Sequence, residues 1–313
     1  MILRTSRNPA VRRVLVHGLP YFGKQFAELM SGDGWAFTYY PDSGVRNLTA
    51  MARDLRSCDL AYQIGGRITF GKFFRAAKLL NKKNMVVHWV GSDTINERKF
   101  AAEGKAESWV VDQFHHWAES DWLVDEASKL GISCERMPLP AAKVRNRPLP
   151  MPSEFSVLTY VPTVTRGELY GLDRILQVAR EMPRVRFDVV GLVDEAIDDP
   201  PPNVVSHGRI GDMTDFYRHA SLVWRPVRHD GLSHMVLESL GHGRHVLWTY
   251  PFPGCLAVSS SAEARVEIER LYALHQQGCL DLNWPGIQAI VENYLPERLK
   301  SEILQRLENI LDD

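Results

Sequence analysis

The sequence has few cysteines, no excess of either charge and no long apolar run. Its four cysteines among 313 residues form no Cys-x-x-Cys pair, so we expect neither a structural zinc site nor a disulfide framework. We expect a reducing, cytoplasmic setting. Lys and Arg number 37 against 38 Asp and Glu, a formal net charge of -1, so no basic field is present to hold nucleic acid by its phosphates. No run approaches the roughly 18 apolar residues of a membrane span.

The fingerprints of several enzyme classes are missing as well. The first predicted turn, HGLPYFGKQF, contains only Gly18 and Gly23, so it lacks the Gly-x-Gly-x-x-Gly pattern of dinucleotide-binding domains. The segment GGRITFGK at 65–72 approaches a phosphate-binding loop but continues into Phe73 instead of Ser or Thr. Gly-x-Ser-x-Gly and His-Glu-x-x-His do not occur. We therefore expect no metal and no bound cofactor.

Strand and helix patterns alternate along the chain, which indicates parallel βαβ units and an α/β fold. The predicted strands are 12–17, 36–40, 59–64, 85–90, 134–140, 155–161, 186–191, 203–208, 221–226 and 245–250, with a short strand opening 120–132. The predicted helices are 21–30, 71–83, 95–118, the rest of 120–132, 171–183, 213–220, 233–243, 261–276, 284–293 and 295–311.

A proline cluster divides this alternation into two halves. Five prolines lie within 138–152, a density that neither a helix nor a central strand tolerates. We predict an interdomain linker over 139–153. A length of 313 residues with 45% hydrophobic and 24% charged residues fits two globular domains of about 150 residues each. The expected architecture is two Rossmann-like, doubly wound domains, 1–150 and 151–294, which leave a ligand-binding cleft between them.

The segment RPVRHDGLSHMVLESLGHGRHVLW at 225–248 has the strongest chemical pattern. A strand ends, a loop brings Asp230 and Gly231, and a helix with Ser233 as its natural N-cap brings Glu238. The free N–H groups and positive dipole end of such a helix suit a diphosphate. Glu238 points back along the helix, and a carboxylate accepts the hydroxyl pair of a ribose. The alternative is a solvated surface helix with incidental acids.

This segment resembles the donor-site signature of retaining GT-B glycosyltransferases, which carry a Glu-x7-Glu motif. The matching positions are Asp230, Gly231, Leu232, Ser233, the apolar 235–237, Glu238, Ser239, Leu240 and Gly243. Upstream, NVVSHGRIGDMTDFYRHASLVWRP, FSVLTYV, GLDRIL and FDVVG are also similar to that family. The resemblance covers about 155–260, and the N-terminal half matches only in architecture. Helix 295–311 resembles the terminal GT-B helix that crosses back to the first domain, so 295–313 is expected to pack there.

The resemblance implies roles for the residues of the second half. Glu238 would hold the ribose of a nucleotide sugar, and Asp230 would contact hydroxyls of the donor sugar. Backbone N–H groups at Gly231, Leu232 and Ser233 would bind the diphosphate. The residues expected to flank the nucleobase are His207, Arg209 and Ile210.

Two departures from the family pattern stand out. The first motif acid is Asp230 instead of the longer Glu. Tyr170 occupies the position of the family lysine that neutralises the diphosphate. Arg166 is the candidate replacement, with Arg225 and Arg228 as further candidates. The alternative for Arg166 is an ordinary exposed loop arginine, and one of Arg225 and Arg228 is expected to be only a surface charge.

The first half is expected to bind the acceptor. Gly23 lies in the predicted loop after the first strand, where the family has a glycine-containing loop near donor phosphate and acceptor. His88 precedes the loop Gly91–Ser92–Asp93 at the carboxyl end of the 85–90 strand, and in the family a His of this region contacts the transferred sugar. For His88 the alternative is a satisfied core histidine. Ser92 and Asp93 are expected on the acceptor side, although Asp93 could instead cap the next helix.

The resemblance implies transfer of a sugar from a nucleotide-diphosphate donor such as a UDP-sugar to an acceptor hydroxyl. It also implies retention of configuration. The catalytic expectation falls on Asp230, His88 and Arg166. The acceptor is expected to be a sugar or a lipid-linked molecule, as in glycan biosynthesis. The basic amphipathic helix at 71–83 either lies on the inner face of a membrane or is a solvated face over the core. The alternatives in function are a nucleotide-sugar epimerase of the same fold and a non-catalytic nucleotide-sugar-binding subunit.

Overall fold

The computed structural model describes residues 11–41, 48–69, 71–192 and 197–312. The chain forms two compact units, Met1–Ala142 with Pro296–Asp313 and Lys143–Leu295. Each unit contains one six-stranded sheet, and the strand pairs within both sheets are parallel. The units divide at residues 142 and 143, eight residues before the boundary that the sequence predicts.

The sheet of the first unit has the strand order β2-β1-β3-β4-β5-β6. Its strands are β1 (Arg12–Gly18), β2 (Trp35–Pro41), β3 (Leu60–Ile64), β4 (Met85–Trp89), β5 (His115–Ala118) and β6 (Cys134–Arg136). Its helices before the second unit are α1 (Pro20–Met30), α2 (Leu48–Ser57), α3 (Lys72–Leu79), α4 (Asp93–Ala102), α5 (Ser108–Gln113) and α6 (Asp121–Ser128).

The prediction of one helical region over 95–118 is wrong, as is the strand expected at the start of 120–132. Two short helices, α4 and α5, occupy most of that region, and its last four residues, HHWA, form β5. This strand was missed because it has no β-branched residue and its first histidine is exposed. Helix α2 was not predicted either.

The second unit contains a sheet of order β12-β11-β10-β7-β8-β9. Its strands are β7 (Ser156–Tyr160), β8 (Arg186–Val190), β9 (Val204–Ser206), β10 (Leu222–Arg225), β11 (His245–Trp248) and β12 (Cys255–Ala257). Its helices are α7 (Gly167–Tyr170), α8 (Leu172–Glu181), α9 (Thr214–His219), α10 (His234–Gly241), α11 (Ser261–Gln276) and α12 (Trp284–Asn293), with one 3₁₀ turn, Val164–Arg166, before α7. This is the Rossmann order, and the direction of its connections reverses between β7 and β10. Strand β12 was not predicted.

The last helix, α13 (Pro296–Asp312), belongs to the first unit. Its apolar residues recur every three or four positions, which places them on one face. Ile303, Leu307 and Ile310 on that face pack in one core cluster with Phe26 and Met30 of α1. The other face of the same sheet is covered by a separate core cluster that includes residues of α2, α3, α5 and α6.

Helix α3 is shorter than the 71–83 helix that the sequence predicts. Phe73 and Phe74 point into the core, whereas Lys72 and Arg75 are exposed. Leu79 at its end is 87% exposed. Within the described ranges, no helix is long and apolar enough to cross a bilayer.

The proline-rich segment predicted as a linker is fastened to the second unit. We call residues 143–151 the strap. The Arg147 N–H donates to the Gly241 carbonyl at 3.0 Å, and the Leu149 N–H donates to the His242 carbonyl at 3.1 Å. The Arg244 guanidinium, 0% exposed, donates to the Leu149 and Pro150 carbonyls at 2.7 and 2.8 Å. The strap is thereby bound to the carboxyl end of α10 and does not hang free between the units.

Gly23 does not lie in a loop, because α1 begins at Pro20 and places this glycine in its first turns. A Cβ at Gly23 would lie 2.3 Å from a ring carbon of Tyr39 in β2. The Tyr39 hydroxyl donates to the Gly18 carbonyl at 3.0 Å, so its ring is not free to swing away. Gly23 is therefore a close-packing glycine between helix and sheet, which corrects its expected place in a ligand-contacting loop.

We predict that Gly23→Ala destabilises the protein by about 1–3 kcal/mol, because the added methyl overlaps the anchored Tyr39 ring. This outcome opposes helix propensity, which favours Ala over Gly in a helix interior by about 0.5–1 kcal/mol. Urea denaturation measures the difference. Gly211→Ala is the control, since its Cβ would meet nothing within 4 Å; equal stabilities of the two variants would contradict the packing argument.

Candidate functional site

The candidate site of the second unit lies at the carboxyl ends of β7 and β10, where the sheet connections reverse. Open α/β sheets bind ligands outside this edge. Tyr160 ends β7, Arg225 ends β10, and α10 begins nine residues after Arg225. The topology thus brings the segment 225–238 to the position where such a sheet holds a ligand.

Arg225 and Asp230 form a buried ion pair at this edge. The Arg225 Nε donates to the Asp230 Oδ2 at 2.6 Å, and Arg225 is only 7% exposed. The guanidinium carbon also lies 5.8 Å from the ring centre of Tyr160 and 5.3 Å from that of Tyr170. Burial opposes the charge, but Asp230 and the tyrosines leave the pKa of Arg225 raised. Arg225 is not a surface charge, and it fixes the orientation of the Asp230 carboxylate.

Tyr170, at the position of the family lysine, contacts a second guanidinium. Arg166 lies with its guanidinium carbon 5.4 Å from the Tyr170 ring centre, at the exposed end of the 3₁₀ turn. Thr163 caps this turn by accepting from the Arg166 N–H at 3.3 Å. No carboxylate of the described residues pairs with Arg166, so its charge is available to an anion. Of the three arginines expected as replacements for the lysine, Arg166 and Arg225 thus both reach Tyr170.

Arg228 has a different surrounding. Its Nε donates to the Glu168 carbonyl at 2.9 Å, and its guanidinium pairs with the Asp173 carboxylate at 3.1 Å. The Arg228 N–H also donates to the Leu169 carbonyl at 2.8 Å. Arg228 therefore holds α7 and α8 in place, which fits a positioning role better than the donor contact expected from the sequence.

The amino end of α10 is formed by Gly231, Leu232 and Ser233, all buried. Ser233 occupies the N-cap position, but its side chain makes no capping hydrogen bond, which corrects the expected cap. The first backbone N–H groups of α10 consequently lack that side-chain acceptor. His234, the first helical residue, has its pKa lowered to about 4 by burial and by the charge of Arg225, so its ring is neutral at neutral pH.

Glu238 lies inside α10 and is 8% exposed. The Tyr217 hydroxyl of α9 donates to its Oε2 at 2.9 Å. Burial raises the pKa of Glu238, while the Tyr217 hydrogen bond and the charge of Lys143 oppose that shift. The sequence predicted Glu238 as a site residue but did not predict Tyr217 as its partner. The signal that could have found it is the Tyr-Arg pair of α9, which is similar to the GT-B family.

The loop after β9 holds the residues expected to flank a nucleobase. His207 Nε2 lies 2.6 Å from the Asp188 Oδ1, and Asp188 also accepts from the Arg186 guanidinium. Arg209 is exposed and Ile210 half-buried. His207 therefore ties this loop to β8, and Arg209 is the exposed residue of the three.

In the first unit His88 lies in the core, as the alternative expected, but it is not fully satisfied, since its Nε2 has no hydrogen-bond partner among the described residues. The side chain is 0% exposed, its Nδ1 lies 2.6 Å from the Tyr62 hydroxyl, and the rings of Tyr62 and Trp117 surround it. Burial lowers the pKa of His88 to about 3, so the ring is neutral. A catalytic contact does not fit this geometry, and His88 is a core histidine.

Asp93 is occupied by the backbone of its own unit. Its carboxylate accepts from the N–H groups of Val90, Gly91 and Thr94 at 2.9, 2.8 and 3.1 Å, and also from the N–H of Gly66. Burial raises the pKa of Asp93 to about 6 against these hydrogen bonds, which lower it. The carboxylate joins the loops after β3 and β4, and this does not fit the acceptor contact expected of it.

Ser92, also expected on the acceptor side, occupies the N-cap position of α4 without a capping hydrogen bond. Within the described parts of the chain, no three His, Cys, Asp or Glu side chains are grouped as metal ligands.

No family model matches the chain, and no curated protein matches it in sequence. Solved structures match it in fold. HepE from Anabaena, in complex with UDP and glucose, matches with a TM-score of 0.71 at 10% identity, over 95% of this chain and 99% of that chain. A sucrose-phosphate synthase from Thermosynechococcus elongatus matches with a TM-score of 0.70 at 10% identity, over 96% and 99%. A glycosyltransferase from Rickettsia africae matches with a TM-score of 0.66 at 8% identity, over 96% and 99%.

The predicted fold is confirmed by these matches and by the two parallel sheets. The chain has the α/β, two-domain architecture of GT-B proteins. Identities of 8–10% support likeness of fold and do not by themselves assign an activity.

We predict that His88→Ala lowers the free energy of unfolding by about 1–3 kcal/mol, because it leaves a cavity and removes the partner of the Tyr62 hydroxyl. An unfolded histidine titrates near pH 6.5, whereas the folded ring stays neutral down to about pH 3. The wild type therefore loses stability as the pH falls from 6.5 towards 3, and the variant lacks this part of the loss. Urea denaturation at about pH 7 and about pH 5 measures both effects.

His115→Ala serves as the matched control, since His115 is the exposed neighbour on β5. It should leave stability at about pH 7 nearly unchanged. A His88→Ala protein with wild-type stability but no turnover would restore the catalytic hypothesis for His88.

Proposed function

We propose that the protein is a glycosyltransferase that moves a sugar from a nucleoside diphosphate donor to an acceptor hydroxyl. One observation carries the proposal: two partnered acids, the half-buried Asp230 and the buried Glu238, lie on either side of the amino end of α10 at the reversal point of a Rossmann sheet. Asp230 is paired with Arg225, and Glu238 is paired with Tyr217. Carboxylates with fixed partners at a ligand-binding edge are candidates for substrate contacts.

Each acid has a distinct proposed role. Glu238 accepts the ribose hydroxyls, and Asp230 accepts hydroxyls of the donor sugar. The diphosphate lies against the N–H groups at Gly231–Ser233, where the helix dipole favours negative charge. Among similar folds, the HepE structure contains UDP and glucose, which makes UDP the first nucleotide to test.

Catalysis in this proposal rests on positioning and on charge stabilisation. Negative charge develops on the departing diphosphate, so donors directed at it stabilise the transition state more than the ground state. Arg166 is exposed and has no carboxylate partner among the described residues, so it suits this role better than Arg228. We propose retention of configuration on the basis of the GT-B resemblance alone.

A non-catalytic nucleotide-sugar-binding protein is the second candidate. Tyr170 at the family lysine position favours it, because the most direct cation for the diphosphate is absent. Incubation with a UDP-sugar panel separates the two functions: transfer or slow donor hydrolysis supports the enzyme, and binding without either supports the binding protein. Free sugar of altered configuration without an acceptor would indicate an epimerase.

We predict that Glu238→Ala weakens UDP binding by about 5- to 100-fold, because ribose hydroxyls left unpaired cost roughly 1–3 kcal/mol. Isothermal titration calorimetry measures the affinity, and thermal unfolding verifies that the variant is folded. Glu263→Ala is a control on a remote helix, since the Glu263 carboxylate accepts from the Ser259 hydroxyl at the start of α11. Unchanged UDP affinity in folded Glu238→Ala would contradict the ribose assignment.

We predict that Asp230→Asn lowers turnover with the intact donor while changing UDP affinity little, because Asp230 is assigned to the sugar and not to the nucleotide. The variant should also melt earlier, since Arg225 loses the charge that compensates its burial. Turnover per folded molecule and UDP affinity are the two measurements. Equal losses for donor and for UDP would move Asp230 to a purely structural role.

A further inference from the structure

Lys143 places a positive charge next to the proposed ribose carboxylate from a distant part of the sequence. It is the first residue of the second unit and begins the strap. Its Nζ donates to the Gly211 carbonyl at 2.6 Å, in the loop that follows Arg209 and Ile210. The next residue, Val144, is fully buried and fixes the backbone at this point.

The anchoring of the strap fixes Lys143 relative to Glu238. The strap is bound to the carboxyl end of α10 by the hydrogen bonds of Arg147, Leu149 and Arg244 described above. The same helix carries Glu238. Burial raises the pKa of Glu238, and the charge of Lys143 opposes this shift. Hydrogen bonds from Thr214 lower the pKa of Asp212, and the charge of Lys143 acts in the same direction.

The Lys143 ammonium retains donors for a ligand. An ammonium has three N–H donors, and the Gly211 carbonyl is its one hydrogen-bond acceptor within the described ranges. The side chain is exposed. A cation with spare donors is thus held at the loop 207–211, within electrostatic reach of the buried Glu238 carboxylate.

We propose that Lys143 binds the nucleoside part of the donor by donating to an oxygen of its ribose or base. The proposal rests on the proposed function, since it takes Glu238 as the ribose contact. Glu238 lies five residues beyond Ser233, about 7 Å along the helix axis from the amino end where the diphosphate is placed. Lys143 therefore reaches the nucleoside end of the site, and the diphosphate belongs to the opposite end with Arg166.

The competing explanation is that Lys143 only clamps the loop at Gly211. A clamp and a nucleoside contact differ in UDP affinity. Without the ammonium the loop is still tied to β8 by His207 and Asp188, so loss of a clamp alone leaves UDP affinity nearly unchanged, whereas loss of a nucleoside contact weakens UDP binding but not pyrophosphate binding. The pH at which Glu238 becomes protonated reports only that the Lys143 charge acts on Glu238, since Tyr217 and Asp212, the other groups facing Glu238, stay in place.

The test compares the full-length wild type with Lys143→Met, Lys143→Arg and Arg145→Met by calorimetry against UDP and against pyrophosphate. Arg145 is the matched control, an exposed cation on the same strap. We expect Lys143→Met to bind UDP about tenfold more weakly, the size of one charged hydrogen bond. Pyrophosphate affinity should stay unchanged, Lys143→Arg should recover part of the loss, and Arg145→Met should match the wild type.

The pH profile supplies the second readout. UDP affinity falls with decreasing pH as Glu238 is protonated. Without the Lys143 charge the pKa of Glu238 rises, so this fall should begin at a higher pH in Lys143→Met than in the wild type. His242, whose ring packs on Tyr217, is present in both proteins and does not produce the difference.

Two results overturn the proposal in distinguishable ways. If the wild type binds UDP and Lys143→Met binds it equally well at neutral pH, the Lys143 assignment is wrong and the proposed function stands. If the wild type binds neither UDP nor any other nucleoside diphosphate of a panel, the proposed function is wrong and the Lys143 assignment falls with it. Equal losses for UDP and pyrophosphate also overturn the nucleoside assignment.

Discussion

The buried guanidinium of Arg225 is the constraint on which the candidate site of the second unit depends. A charge removed from water must be paired and hydrogen-bonded, and loss of its partner costs about 3–5 kcal/mol. Asp230 is that partner at 2.6 Å, so the loop between β10 and α10 has to bring the carboxylate back towards the strand end. The same requirement explains the rings of Tyr160 and Tyr170, which cover the guanidinium with their faces where water would otherwise solvate it.

A second buried arginine, just after the carboxyl end of α10, also needs hydrogen-bond partners to compensate its burial. Arg244 is fully buried, and burial lowers its pKa to about 10, which still leaves it charged at neutral pH. Its partners are the carbonyls of Leu149 and Pro150 and not a carboxylate. The proline-rich strap offers such carbonyls because proline removes N–H donors and interrupts regular hydrogen bonding. Helix α10 is consequently fixed at its amino end through Asp230 and at its carboxyl end through the strap.

The parts of this structure that follow from local sequence were predictable, and those that depend on distant partners were not. The β-branched strands and the apolar face of α13 repeat at short periods, so periodicity alone reveals them. Asp230 and Glu238 share one strand-loop-helix segment. The four-residue strand β5 has no such pattern. His88 and Asp93 were predicted as site residues because they are polar residues within or just after an apolar strand. Their hydrogen-bond partners, Tyr62 and Gly66, lie 26 and 27 positions away in the sequence, so no local pattern reveals them.

Under the proposed function, Tyr170 stands where the GT-B family that the sequence resembles has a lysine, so the positive charge for the diphosphate has to come from residues outside that motif. In the family motif this lysine comes from the first loop of the domain. Here that position carries an aromatic ring, and two guanidiniums, Arg166 and Arg225, lie within 5.4 Å of the ring centre. A lysine at position 170 would add a third positive charge beside Arg225, which is already buried and paired. Arg225 at the end of β10 and Tyr170 are therefore compatible, because the tyrosine ring contacts both guanidiniums. Asp230 neutralises the buried Arg225. The exposed Arg166 remains as the charge that we propose an incoming anion meets.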